Sequence, residues 1–528
     1  MTAERADQRL RNDLTPNTAA AAEGMLSEGV ESAFRNGQVI GIEEKATCLE
    51  THLSRVFLTA DRAYKIKKSV RLPFVDFSTP EQRRRACEAE LTLNQRFDSP
   101  IYLKVQALVL SPEGFLSIGG EGQILDWLVV MRRFEERLDE ALARDAVTSD
   151  HWTDLVSGVV RIHRAAHPDH LCGHAVDYRG VIHGLARTEA DGASRLGLSA
   201  AETDLAAKQE GCLARLSPLI ETRRRKGCVV RGHGDLHLAN ICMFQGRPKL
   251  FDALEFDDRL ATTDRIYDLA FLLTDLLRMK RKPDACFVMN AYWDMMEEDE
   301  KALALLPLFM SLRASVRLAV EVERGRLEEA ARYRTLAAQL LDRHSPRIVA
   351  IGGLSGTGKS VLARRLAPEL GGAAGARIIR TDQLRKSPDG NANASSSSDR
   401  DRYAPESREK VYLRLSKHVR DAVSAHSSVI LDATFIPNAG RLRVEEAAGS
   451  ELKGLWLEAP LDVRVSRIER RQMDISDADA AVARRQTEPV DLSPFWIKLD
   501  AGGDPDQTLE LARTALGLPC PATTPQLA

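Results

Sequence analysis

No apolar run in this 528-residue chain is long enough to span a bilayer, so an integral membrane protein is not expected. Charge of one sign is not in excess either. Lysine and arginine number 74 against 76 aspartates and glutamates, a formal net charge of −2. That leaves no global field to draw the chain to a membrane or to nucleic acid. The first residues lack the apolar h-region of a secretory signal, and none is expected. The eight cysteines are scattered without CxxC spacing. This fits reduced, buried thiols in a cytoplasmic protein better than a disulfide framework. There is no internal repeat, and the two halves do not resemble one another.

What is present is the composition of a folded protein, 44% hydrophobic and 28% charged, with too many residues for one ordinary core. Residues 1–34 are polar and Ala-rich and are expected as a disordered tail. Arg55–Leu58, a turn at Thr59–Arg62 and Ala63–Lys67 read as a strand hairpin. Ser78-Thr79-Pro80-Glu81 signals a helix that runs to Phe97. Tyr102–Leu110 and Asp126–Arg132 read as strands, and residues 135–225 and 264–342 as mainly helical. Arg343-His344-Ser345-Pro346 breaks that pattern, which predicts one domain over 35–342 and another over 346–520. Strands are expected at 348–352, 377–381, 428–432 and 454–458, alternating with helices as in a parallel α/β sheet. Asn391–Asp399 is low-complexity and is expected to be a loop.

Two motifs carry chemistry. Gly353-Leu354-Ser355-Gly356-Thr357-Gly358-Lys359-Ser360 is a full P-loop pattern between an apolar strand and a helix. Gly353, Gly356 and Gly358 let backbone N–H groups, that of Thr357 included, approach phosphates. Lys359 would neutralise β/γ oxygens, Ser360 would ligate Mg²⁺, and the helix adds its positive end. Asp382 and Asp432 follow at expected strand ends, where open α/β sheets bind ligands. One suits Mg²⁺ and the other the proton of a substrate hydroxyl; helix capping is the structural alternative for each. Arg467, Arg470 and Arg471 lie close together on a helix. They would cover a γ-phosphate or else form a solvated face.

The second motif is His233-Gly234-Asp235-Leu236-His237-Leu238-Ala239-Asn240, followed by Leu250-Phe251-Asp252. An Asp that accepts a hydroxyl proton, an Asn five residues on and a carboxylate on the next strand make a phosphoryl-transfer set around Mg²⁺. Two clusters resemble sites without belonging to either motif. His163, His167, His170, Cys172 and His174 have zinc-ligand chemistry, but Pro168 interrupts them and no second cluster follows. Arg223-Arg224-Arg225-Lys226 reads as solvated surface.

From residue 346 the chain resembles P-loop kinases of the gluconate-kinase, zeta-toxin and polynucleotide-kinase type. The resemblance is carried by Gly353–Ser360, Thr381-Asp382 with Arg385, Leu431–Phe435 and the arginine stretch before Asp474–Ala478. It implies Asp382 as base and Arg385 as a substrate contact. His233–Asn240, Asp252 and Asp264–Ala270 closely resemble the aminoglycoside phosphotransferase-like branch of the protein-kinase fold, with its choline-kinase-like enzymes. That implies a bilobal α+β domain in which Asp235 is the base and Asn240 and Asp252 hold Mg²⁺. It also implies a nucleotide lysine on the third strand, Lys65 with Lys67 as rival, paired with Glu90 or Glu88. The strict Gly-rich loop of many kinases is missing before that lysine. The tandem as a whole resembles bacterial fusions of such a domain to an ATP-binding P-loop domain. This implies two ATP/Mg²⁺ sites and small-molecule hydroxyl acceptors, with a regulatory ATPase half or a polynucleotide-end kinase as the alternative.

Overall fold

The computed structural model describes residues 28–519 apart from 43, 52, 73–74, 98, 198–203, 343, 387–404, 471–479, 488 and 490. Arg471 and the stretch Asn391–Asp399 lie outside the described residues. So does most of the expected tail, but its described end departs from the expectation. Residues 28–36 are helical, and Phe34 is fully buried, stacked on Phe57 with ring centroids 4.1 Å apart. Val30, Ala33 and Phe34 share one face, enough to seat a short helix on the sheet.

The chain forms two compact units, residues 1–166 with 231–263 and residues 167–230 with 264–528. In the first unit a seven-stranded sheet runs in the order Val39–Ile40, Leu116–Ile118, Tyr102–Leu110, Gln123–Arg132, Arg62–Lys67, Ser54–Leu58, Thr47–Glu50. Its pairs are antiparallel except the first, which is parallel. Arg62–Lys67 lies inside this sheet and is covered on both faces, so Ala63 to Lys67 are all buried. The expected helix spans Pro80–Arg96 and lies against Tyr102–Leu110 and Gln123–Arg132. Thr79 caps it: its hydroxyl takes the Gln82 N–H, and the Gln82 side chain takes the Thr79 N–H in return. A hairpin of Ile241–Phe244 and Arg247–Leu250 completes the unit's chemistry-bearing segment.

In the second unit the helices Ala175–Arg195, Leu205–Arg225, Arg265–Arg278, Lys282–Met296, Leu306–Glu323 and Leu327–Gln339 pack against one another, and Leu205–Arg225, Leu306–Glu323 and Leu327–Gln339 share one apolar cluster. Contrary to the sequence expectation, the stretch Glu300–Glu323 is long and apolar enough to cross a membrane; its most apolar 18-residue window is 72% buried inside the protein, with Leu308, Phe309, Met310 and Leu312 at no exposure. Packing against neighbouring helices accounts for its hydrophobicity. Of the basic run 223–226, Arg225 and Lys226 are exposed, but Arg223 departs from expectation. Arg223 is buried and holds Asp264 through two bonds of 2.7 and 2.9 Å and Glu298 through one of 2.9 Å.

All strands of the second unit's five-stranded sheet are parallel, in the order Arg377–Arg380, Val429–Asp432, Ile348–Gly353, Leu452–Glu458, Trp496–Asp500. Four match the expected strands; Trp496–Asp500 is an addition. The P-loop strand is central and fully buried. Cys286, from the helix Lys282–Met296, belongs to the same apolar cluster as Val349, Ile351 and Leu366 of the P-loop half. Next to it Asn290 reaches the outer edge of Arg377–Arg380: its Nδ2 donates to the Ala376 carbonyl at 3.0 Å, and its Oδ1 accepts the Ile378 N–H at 2.7 Å.

Candidate active sites

The first site lies wholly in the first unit. Strand alternation points Lys65 and Lys67 to one face, and both meet Glu90, which has no exposure. Lys65 donates to Glu90 Oε1 at 2.8 Å and to Asp252 Oδ1 at 2.5 Å. Lys67 donates to Glu90 Oε2 at 2.8 Å and to Glu255 Oε1 at 2.5 Å. Glu88, the alternative partner, faces outward and pairs with Arg84 at 2.9 Å. Burial works against the charge on Lys65, but Asp252 and Glu90 outweigh it and raise its pKa well above the ordinary lysine value. Burial likewise opposes ionised Glu90, and Lys65 and Lys67 overcome it, leaving that carboxyl below its ordinary value. Glu255 goes the other way: desolvation dominates and raises it.

The catalytic-loop motif closes on the same place. Gly234 has φ +82°, and a Cβ there would stand 2.6 Å from Ala261 Cβ and 2.9 Å from Leu254 Cβ, so the turn requires glycine. Asn240 Nδ2 donates to the Asp235 carboxylate at 2.8 Å and to its carbonyl at 3.0 Å. His237 Nε2 lies 3.3 Å from the same carboxylate. The Phe251 N–H donates to the Asn240 carbonyl at 3.1 Å, which ties the hairpin's second strand to the loop. Asp252 adopts a left-handed φ of +57°. Two buried polar residues brace it: Tyr102 Oη accepts its N–H at 3.0 Å, and Asn94 Oδ1 accepts the Ala253 N–H at 3.2 Å. Tyr102, Asn94 and Glu255 belong to no motif and were not singled out from the sequence. The oxygen donors of Asn240 and Asp252 beside a lysine suit a hard divalent ion shared with phosphates.

The second site is the P-loop. Gly356 has φ +86°, and a Cβ on it would stand 2.5 Å from the Arg464 carbonyl oxygen, so the loop and the helix Leu461–Glu469 touch through bare backbone. Gly353 and Gly358 also have positive φ, 141° and 94°. Thr357 Oγ1 and Lys359 Nζ both donate to the Leu354 carbonyl, each at 2.9 Å. Ser360 Oγ donates to Asp432 Oδ2 at 2.6 Å, which brings the loop's hydroxyl and the strand-end carboxylate together. Asp382 sits in the first turn of Thr381–Lys386 and is bound by Arg385 at 2.6 Å.

Arg380 was not expected here. Its Nη2 donates to Ser360 Oγ at 3.2 Å, and its Nε lies 3.3 Å from Asp432 Oδ2. Gln486 accepts the Ser355 N–H at 2.7 Å. Neither residue has a motif; a strand-end arginine beside Thr381-Asp382 was the one available signal. Arg467 has other partners than phosphate-covering would require, since its two Nη groups donate to the carbonyls of Ala501 and Gly503, each at 2.7 Å. Among the described residues no three His, Cys, Asp or Glu side chains converge as metal ligands, and the His163–His174 cluster is no exception. A Mg²⁺ site does not need such a cluster: one or two carboxylates, substrate phosphates and water suffice.

An α+β unit that carries the His233–Asn240 loop and Asp252, together with a parallel α/β sheet built around a P-loop, is the architecture that fold and motifs define. The AAA domain family matches residues 348–492. An uncharacterised protein of Mycobacterium tuberculosis is 31% identical over 455 residues, 82% of this chain and 88% of that protein. The chain belongs to the same family as that mycobacterial protein. Among solved structures, a choline kinase from Cryptosporidium parvum is similar at 12% identity and a TM-score of 0.39, over 60% of this chain and 95% of its own. A gluconokinase from Sinorhizobium meliloti is similar at 18% identity and a TM-score of 0.26, over 33% of this chain and 94% of its own.

Proposed function

We propose that the chain is an ATP-dependent phosphotransferase with two Mg·ATP sites, each passing the γ-phosphoryl group to a hydroxyl of a small molecule. The observation that carries this reading is Lys65, held between Glu90 and Asp252 at 2.8 and 2.5 Å, with the Asp235–Asn240 pair of the same unit at 2.8 Å. In the first site Lys65 binds nucleotide phosphates, and Glu90 orients it. Lys67 is the less suited rival, since its side chain is 2% exposed and tied to two carboxylates. Asn240 and Asp252 hold Mg²⁺, and Asp235 accepts the acceptor's hydroxyl proton. In the second, backbone N–H groups of Gly353–Ser360 cradle the phosphates, Lys359 meets the β/γ oxygens, and Ser360 and Asp432 hold Mg²⁺. Asp382 is the base there, with Arg385 beside it.

The test uses γ-labelled ATP and a bacterial metabolite extract with wild type, Asp235→Ala and Lys359→Ala. Each variant is expected to lose a different labelled product. If both variants keep the wild-type product pattern, the two-site reading fails. Adding oligonucleotides to the same assay separates small-molecule acceptors from nucleic-acid ends.

A further inference from the structure

We propose that Asn290, on the helix Lys282–Met296, is a positioning residue for the P-loop site. The inference rests on reading that site as one for nucleotide and Mg²⁺. Among the described residues Arg377–Arg380 is an edge strand: one side pairs with Val429–Asp432, and no described strand lies on the other. The amide of Asn290 fills that side. A carboxamide carries a donor and an acceptor at about the spacing of a peptide group. Its bonds to the Ala376 carbonyl and the Ile378 N–H, at 3.0 and 2.7 Å, therefore replace those of a neighbouring strand.

Arg377 fastens the same contact. It is 7% exposed; its Nη1 donates to Asn290 Oδ1 at 3.1 Å, its Nη2 lies 2.6 Å from Asp294 and its Nε 3.4 Å from Glu300. Glu300 in turn binds His418, and Lys301 lies 3.3 Å from Asp421, so the contact extends to a second helix of the P-loop half.

The strand has four residues, and its far end enters the site. Arg380 binds Ser360 at 3.2 Å and lies 3.3 Å from Asp432; Thr381 Oγ1 donates to the Asp432 carbonyl at 3.5 Å; Asp382 follows directly. A slip of one residue in a strand turns every side chain to the opposite face. In so short a strand the pairing on its outer edge fixes where Arg380 and Asp382 point. Asn290 touches no phosphate and acts through that register.

The experiment titrates full-length protein with a fluorescent ATP analogue, with Mg²⁺ and with EDTA, and takes the component lost in Lys359→Ala as the P-loop's. Asn290→Leu keeps the branching at Cγ and removes the bonds to Ala376 and Ile378, together with those to Cys286 and Arg377. It is expected to weaken the Mg²⁺-dependent affinity by about tenfold while changing the EDTA affinity less than about twofold. Asn290→Asp keeps the acceptor for Ile378 and loses the donor to Ala376, so it should fall between; it carries the test if Asn290→Leu does not fold. Hydrogen exchange should quicken at Ile378 in Asn290→Leu, which lacks its acceptor, and not in Asn290→Asp. Wild-type affinities in the variants, or equal weakening with and without Mg²⁺, would overturn the positioning role and leave Asn290 as an ordinary contact. A wild type with no Lys359-dependent binding would instead sink the nucleotide reading itself.

Discussion

Lys67→Met isolates the buried charge network of the first site. Lys67 donates to Glu255 at 2.5 Å and to Glu90 at 2.8 Å, and it shares Glu90 with Lys65. Removing one partner of a buried pair costs about 3–5 kcal/mol, because it strands a charge away from water. Two features place this case near the lower limit. Lys65 stays on Glu90 at 2.8 Å, and Glu255, already raised by burial, can take up a proton. The expected loss is therefore about 3 kcal/mol, or a urea midpoint shift of about 1 M for an m-value near the top of the usual small-domain range. Hydrogen exchange across a urea series, read on peptides covering Arg62–Lys67, follows this unit alone. A carboxyl whose folded pKa is raised loses stability for the fold as pH rises above its unfolded value, about 4.3. The Lys67→Met defect should thus shrink as the buffer is acidified towards that value. Adding Glu255→Leu should recover most of it, since apolar replacement of a buried pair is close to neutral. A single-mutant cost below about 1 kcal/mol, or a double mutant worse than the single, would refute this account of the network.

Gly234→Ala should cost about 1–3 kcal/mol through a strained φ and a Cβ at 2.6 Å from Ala261, and should abolish the Asp235-dependent product; unfolding and product assays check both. Gly356→Ala should leave the first site's product intact and remove Lys359-dependent nucleotide binding, because its Cβ would stand 2.5 Å from the Arg464 carbonyl; nucleotide titration decides. Glu90 has a depressed folded pKa, so its stabilisation is complete above the ordinary value of about 4.3 and is lost as pH falls through the lower folded one. Glu90→Gln should be less stable at neutral pH and should flatten the acid limb of the stability profile, as pH-dependent urea unfolding would show.

Much of this was readable because chemistry and periodicity coincide. The P-loop strand is an unbroken apolar run before glycines, and Thr79 with Gln82 marks a helix start by hydrogen-bonding capacity alone. Trp496–Asp500 was silent because only Trp496 and Leu499 of its five residues are buried, too few to set a period. Lys65 and Lys67 could not be separated by alternation, which puts both on one face. What differs between them is the second carboxylate each meets, Asp252 for Lys65 and Glu255 for Lys67, and both lie close to 190 residues away in sequence. Arg223 misled for the same reason: its carboxylates come from Asp264 and Glu298, far along the chain. Local text reports local partners, and these side chains have none.

The amide of Asn290 also bears on how the chain can be divided. Cutting near Pro346, where the sequence invites it, would strip the cover from Arg377–Arg380 and leave the Ile378 N–H and Ala376 carbonyl facing solvent. A bare parallel edge is a template for another copy's strand. The severed P-loop half would then tend to pair edge to edge or aggregate. In the intact chain the Asn290 side chain occupies that edge.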